Sequence, residues 1–205
     1  LNKIGKNQGF RDTNNYAYKM DGKVIVNDLD PLIQDLDILP YPLKDSLFEE
    51  FINTNGYAPF FFSRGCPYSC SYCFLQNYLT NTTTQVTSDI ESVLNEIEQY
   101  ISQEPNRLFR IGNWELGDSL ALEKVTNQAS KLIQGFAKFP NAILDLRTKS
   151  DQVDTILNLK HQGKTAVGWT LNPKAIIQTE EKGTASLDKR LLAMKKVADA
   201  GYLVC

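Results

Sequence analysis

No apolar run in the 205 residues approaches the roughly 18 that a membrane span needs. The opening residues, LNKIGKNQGFRD, lack the apolar core of a signal peptide. Position 1 is Leu rather than Met, so further residues are expected upstream. There is no excess of basic charge: 22 Lys and Arg stand against 24 Asp and Glu, a formal net charge of -2. The isoelectric point near 5.5 gives no electrostatic footprint for nucleic acid, which usually calls for a basic face. Internal repeats and low-complexity tracts are also missing. What remains is an ordinary soluble composition, 42% hydrophobic and 22% charged, long enough for one sizeable core or a domain with an appendage.

Cysteine is scarce but not dispersed. Three of the four fall within eight residues, as Cys66-Pro67-Tyr68-Ser69-Cys70-Ser71-Tyr72-Cys73, a C-x3-C-x2-C spacing. A disulfide framework spreads its cysteines to staple distant segments, and three in one loop cannot do so. They point instead to a metal and to a reducing compartment, here the cytoplasm. Three thiolates can each bind one iron of a [4Fe–4S] cubane and leave the fourth iron open for a small molecule. The alternative is a structural zinc site, which needs four ligands. The fourth would have to be the single histidine, His161, or the spare thiol, Cys205. An electron carrier would usually supply a fourth cysteine.

Residues 1–58 and 59–205 differ in texture, so an N-terminal appendage followed by a catalytic core is expected. Tyr16 to Asn27 holds the Asp21-Gly22 pair between apolar runs, which predicts a hairpin. LDPLIQDLDILPYPLKD follows, and Pro31, Pro40 and Pro42 predict an extended connector. From Ala58 onward strands and helices alternate. Strands are expected at Phe60–Phe62, Arg107–Ile111, Ala142–Leu146 and Thr165–Leu171, with a fifth beginning at Tyr202. Helices are expected behind a Ser88/Glu91 capping box, over Leu120–Phe139, over Asp151–His161 before Gly163, and over Leu187–Ala200 before Gly201. This is an α/β pattern of βαβ crossovers on a parallel sheet, which a flat doubly wound sheet and a barrel share. In either, ligands sit at the carboxyl ends of the strands, and the cysteine loop follows the first of them. Four and a bit units cannot close an eight-stranded barrel, so a C-terminal portion is expected beyond Cys205.

C-x3-C-x2-C after a strand, with an aromatic before the third Cys, resembles the signature of the radical S-adenosylmethionine (SAM) superfamily. That resemblance implies a partial (β/α)6 TIM-like barrel, a [4Fe–4S] cluster on Cys66, Cys70 and Cys73, and SAM chelated to the open iron. It further implies reductive cleavage of SAM to a 5′-deoxyadenosyl radical, with a flavodoxin or ferredoxin as electron donor. A longer stretch is similar to the spore photoproduct lyase group. The carrying residues are CSYCFLQ at 70–76, TKSDQVDTILNLKHQGKT at 148–165 and GTASLDKRLLAMKKVADAGY at 183–202. In that group a lysine after the third strand and a serine in the fourth help bind SAM. The matching positions are Lys149 and Thr170, with Asn172 nearby. DGKVIVNDLDPLIQDLDILPYP, running toward the cysteine loop, is similar to the connector of cobalamin-dependent members. Cobalamin would therefore enter only through a domain outside this chain.

Two departures from the lyase group stand out. Its cysteine after the second strand, a hydrogen-atom donor, has no counterpart in Ile111-Gly112-Asn113-Trp114-Glu115-Leu116-Gly117-Asp118. Its tyrosine after the third cluster cysteine is Phe74 here. The substrate is accordingly expected to differ. Asn113 and Glu115 are loose counterparts of a segment that holds the SAM amino group, with a surface-loop Glu as the plain alternative. Tyr72 would shield the cluster, pack on adenine, or simply pack in the loop. Lys149 is either a SAM ligand or a solvated helix-start lysine. Trp169 reads as a core residue, and Cys205 as a small buried strand hydrophobe or a radical relay. Replacing any one of Cys66, Cys70 or Cys73 by Ala is expected to abolish cluster assembly. A Cys70→Ala protein that still took up about four irons per chain and cleaved SAM would overturn the ligand assignment.

Overall fold

A computed structural model describes residues 9, 11–31, 33–75, 86–112 and 116–205, leaving out the side chains of 86 and 87. The chain divides into two compact units, residues 1–34 and 35–205. In the smaller, strands β1 (Ala17–Met20) and β2 (Lys23–Val26) form the expected antiparallel hairpin, with Met20 opposite Lys23. Asp21 and Gly22 both take positive φ, 49° and 76°. That backbone matches the twist of the flanking strands and favours a glycine in second place. Asn14 and Asn15 donate to the Asp30 carboxylate at 2.8 and 3.1 Å, tying down the unit's end.

In the larger unit the part of the proline-bearing stretch from residue 35 makes one short 3-10 turn among the described residues, Leu36–Ile38. Helix α1 (Ser46–Asn55) follows, an element the sequence patterning did not single out. Its brackets are local: the Asp45 carboxylate accepts from the N–H groups of Leu47 and Phe48, and Gly56 closes it at φ 73°. Then come β3 (Ala58–Pro59), β4 (Ser63–Arg64), β5 (Ser69–Cys70), β6 (Val86–Thr87), α2 (Ile90–Ile101) and β7 (Phe109–Gly112). The remainder is α3 (Glu123–Thr126), α4 (Gln128–Phe136), β8 (Ala142–Thr148), β9 (Thr165–Trp169), α5 (Lys174–Glu180), β10 (Glu181–Lys182), α6 (Leu187–Asp199) and β11 (Leu203–Val204).

Five of these strands form one sheet in the order β3-β7-β8-β9-β11, and every pairing is parallel. The order never reverses along the chain. A doubly wound sheet reverses at a switch point, so this sheet is wound in the barrel manner, and the α/β class stands. The outward residues Ile111, Leu144 and Val167 are fully buried, as are Ile97 of α2, Ile133 and Phe136 of α4, and Val197 of α6. Each such side chain contributes about 1.5–3 kcal/mol by leaving water.

Four local expectations are corrected. The first core strand is Ala58–Pro59, not Phe60–Phe62: Phe60 and Phe62 turn into the core while Phe61 stays partly exposed. The cap of α2 is Asp89, whose carboxylate accepts from Ser92 N–H at 2.9 Å, whereas Ser88 N–H is bonded to the Phe62 carbonyl. The helix expected over 120–139 is broken at Asn127, φ 50°, because the buried Glu123 carboxylate takes the N–H groups of Ala129 and Ser130 and starts α4 afresh. Residues 151–161 form separate turns rather than a helix. There Ser150 Oγ captures Gln152 N–H, a local bond that competes with the helical ladder. Val153 and Ile156 are nonetheless fully buried. Among the described residues no helix is long and apolar enough to cross a membrane.

Glu49 on α1 clasps Tyr100 of α2 and accepts from Arg107 at 2.8 Å. The Tyr100 hydroxyl and then Arg107 hold its carboxyl below the usual 4.5. A depressed carboxyl contributes stability above its ordinary pKa and loses it as pH falls through the folded value. Thermal unfolding from pH 7 to pH 3 should therefore show Glu49→Gln less stable than the parent at neutral pH, with the two curves converging in acid. A constant offset at all pH values would refute the clasp.

Candidate functional site

The segments that leave the carboxyl ends of β7, β8 and β9 meet the cysteine loop. Gly65, at φ 101°, bridges Gly117 beyond β7, its N–H bonded to the Leu116 carbonyl at 2.9 Å. A side chain would be strained at that backbone angle. Tyr68 hydrogen-bonds Ser150 just past β8. Cys70 sits on β5 opposite Glu181 of β10, and Ser71 N–H reaches the Glu180 carbonyl at 2.9 Å. Cys73 N–H closes a turn onto the Cys70 carbonyl at 3.0 Å. The loop is thus pinned to the ends of β7 and β8 and, beyond α5, to β10.

Cys70 is buried, and Cys66 and Cys73 are half-buried. Burial, above all, pushes the Cys66 thiol up to about 12; the Tyr68 N–H opposes this, and Asp118 and the other two thiols add to it. Burial likewise raises Cys70, while the nearby Lys149 ammonium pulls it down. Thiols in so dry a place become thiolates readily only beside a cation. Among the described residues no three His, Cys, Asp or Glu side chains converge as ligands of a single ion. Three thiols on one loop are the residues that could hold iron; this donor set fits a cluster taking one thiolate per iron.

Beside the loop lies an open cleft of about 320 Å³, lined by Gly117, Asp118, Arg147, Thr148, Lys149 and Thr170. Asp118 organises it. Its buried carboxylate accepts from Thr148 Oγ at 2.6 Å, Lys149 N–H at 2.7 Å and Leu120 N–H at 3.1 Å. Burial raises the Asp118 carboxyl, and those donors oppose the rise. Lys149 begins no helix; its backbone is fixed by Asp118 and its ammonium lies 6.0 Å from the Tyr72 ring centroid. Two expected site residues are thereby brought together. Arg147 reaches back to the buried Asp145 with Nε at 3.1 Å. A Cβ on Gly168 would stand 2.4 Å from an Arg147 nitrogen, so this strand position is kept bare for the guanidinium.

Thr170 and Asn172 follow β9. The Asn172 amide donates to Glu181 at 2.6 Å and to the Tyr72 hydroxyl at 3.3 Å, and the Tyr72 hydroxyl itself donates to Glu181. Arg190 of α6, fully buried, donates to Glu181 at 2.5 Å, to the Thr170 carbonyl at 2.7 Å and to the Ala185 carbonyl at 2.8 Å. Burial works against the Glu181 charge, but Tyr72, Arg190 and Asn172 together hold its carboxyl below the usual range. Sequence patterning gave no role to Glu181, Arg190 or Asp118. One signal existed: Arg190 shares the helical spacing of the buried Ala193 and Val197, a charge on the core face of α6. Asn113 and Glu115 lie outside the described residues. Trp169 is a core residue whose Nε1 donates to the Ser150 carbonyl at 2.9 Å. Cys205 is exposed, which corrects its reading as a buried hydrophobe, although its backbone still pairs with Val167 and Trp169.

Residues 44–205 match the spore photoproduct lyase family model. The chain is 30% identical to spore photoproduct lyase of Bacillus subtilis (strain 168) over 69% of its own length and 42% of that protein. It is 31% identical to the enzyme of Geobacillus sp. (strain Y412MC61) over 67% of its length and 41% of that protein. The chain thus spans about two-fifths of these relatives. Among solved structures, spore photoproduct lyase complexed with dinucleoside spore photoproduct superposes with a TM-score of 0.66 at 29% identity, covering 70% of this chain and 42% of that one. A variant with bound AdoMet and the same dinucleoside gives 0.66 over 72% and 43%. The cobalamin-dependent S-adenosylmethionine radical enzyme OxsB, at 16% identity, gives 0.67 over 98% of this chain and 30% of its own, a likeness of fold. With the family model covering the whole of the sheet and the cysteine loop, this chain belongs to the spore photoproduct lyase family.

Proposed function

We propose that this chain is the catalytic part of a radical SAM enzyme, with one [4Fe–4S] cluster on Cys66, Cys70 and Cys73 and SAM in the adjoining cleft. The observation that carries the reading is the meeting, at the strand carboxyl ends, of the cysteine loop with Asp118, Lys149 and Thr170. The cluster and SAM, when bound, supply one-electron cleavage that side chains alone do not offer. The chain's own groups do the holding. Asp118 fixes the Lys149 backbone at the cleft wall, which supports assigning the Lys149 ammonium to the SAM carboxylate. Thr170 offers a hydroxyl at the cleft wall. Tyr72 and Asn172 border the cluster loop through Glu181, and Asn113 and Glu115 are assigned to the SAM amino group. A flavodoxin- or ferredoxin-type donor would deliver the electron, and cobalamin would come only from a domain outside this chain.

The solved relatives hold a dinucleoside spore photoproduct, and family membership favours that substrate as a second reading. Phe74 and the cysteine-free segment from Ile111 to Asp118 favour a different one. Neither offers the weak S–H or phenolic O–H bond from which a product radical draws its hydrogen atom. The acidic balance of the chain points the same way.

Lys149→Ala should leave the cluster in place and weaken SAM binding. A charge-assisted contact of roughly 1.5–3 kcal/mol corresponds to about ten- to a hundredfold in affinity. An unchanged SAM dissociation constant would return Lys149 to the role of a surface lysine.

Supplied with SAM, reductant and the dinucleoside photoproduct, the reconstituted full-length protein is expected to release 5′-deoxyadenosine without forming two thymines. Clean repair at more than one turnover per cluster would establish the second reading.

A further inference from the structure

Four of the expected site residues, Cys70, Tyr72, Thr170 and Asn172, converge on one ion pair that has no place among them. Glu181 and Arg190 are both fully inaccessible in their side chains, and their contact is 2.5 Å. The backbone of Glu181 pairs with Cys70, while its carboxylate takes donors from Tyr72, Asn172 and Arg190. The other Arg190 donors go to the Thr170 and Ala185 carbonyls and to Thr184 Oγ, the last at 2.7 Å. The pair therefore joins the cysteine loop to the end of β9, with α6 as the rigid support.

A fold does not need such a pair for stability. Two buried charges are costly to desolvate, and apolar residues of similar volume often replace them without loss. Nor is Asn172 aimed at the cleft: its amide is committed to Glu181 and Tyr72. We infer that Glu181 and Arg190 are positioning residues that set Tyr72 and the Thr170 backbone relative to Cys70, and so fix how SAM is held against the cluster loop. Asn172 belongs to this device rather than to the cofactor contacts. The inference rests on the proposed cluster and SAM site.

The test separates a positioning role from a merely structural one. In the full-length protein, reconstituted anaerobically with iron and sulfide, Glu181→Gln leaves Arg190 buried without its counter-charge and should lower the melting temperature. The double variant Glu181→Met/Arg190→Met removes both charges and should recover the melting temperature and the iron content. Its SAM dissociation constant should still be raised roughly ten- to a hundredfold, the usual effect of losing an outer-shell partner. The change that SAM produces in the paramagnetic resonance spectrum of the reduced cluster should be lost or altered. Tyr72→Phe, which removes one donor and buries no charge, should weaken SAM binding in the same direction if the double variant does not fold. Parental SAM affinity and spectrum in the double variant, or in Tyr72→Phe should the double not fold, would overturn the inference. If the parent protein itself bound neither cluster nor SAM, the proposed site would fail instead.

Discussion

The buried pairing of Glu181 with Arg190 is the constraint on which the site depends. Neither side chain touches solvent, and each is surrounded by enough partners to satisfy its charge: three donors on the carboxylate, four acceptor contacts from the guanidinium. Such a network tolerates few alternative arrangements, because displacing one member leaves a charge stranded in a dry place. The geometry of Tyr72, Asn172 and the Thr170 carbonyl is inherited from it.

A second buried carboxylate does the corresponding work on the other side of the cleft. Asp118 collects Thr148 Oγ and the N–H groups of Lys149 and Leu120, so the chain leaving β8 is set by the loop leaving β7. The third, Asp145, is shared by Arg110 and Arg147 on the face of the sheet opposite Leu144. Buried acids on strand β8 and its neighbours thus arrange the cations around the cleft, while apolar residues on the alternate positions fasten the sheet to its helices. The period-two alternation of a strand is what lets one element do both.

The sheet explains why three short loops suffice. Parallel strands all end on the same side, so the segments after β7, β8 and β9 are neighbours, although Asp118, Lys149 and Thr170 are far apart in sequence. The cysteine loop is stitched across them by the Gly65–Gly117 bridge, the Tyr68–Ser150 bond and the β5–β10 pair.

Much of this was legible in the sequence. The spacing of Cys66, Cys70 and Cys73 is a local property, and so are the Asp21-Gly22 turn and the apolar stripe of α2. The parallel sheet followed from strand–helix alternation, and the placement of Lys149 from its position after β8. Local patterning failed where a polar side chain a few residues away claimed backbone N–H groups. Helix 120–139 broke because Glu123 reaches forward to cap α4; residues 151–161 turned instead of coiling because Ser150 Oγ captures the Gln152 N–H. α5, β10 and the partners of Arg190 were invisible as function, since Glu181 reads as one of a run of surface charges and the core-face spacing of Arg190 names no partner. Sequence by itself determined the three thiols, the sheet type and the turn at Asp21-Gly22, because each is set by neighbours a few residues away. Tertiary structure alone decided which charges are buried together, because only the folded chain brings β10 and α6 against the cysteine loop and removes the water between them.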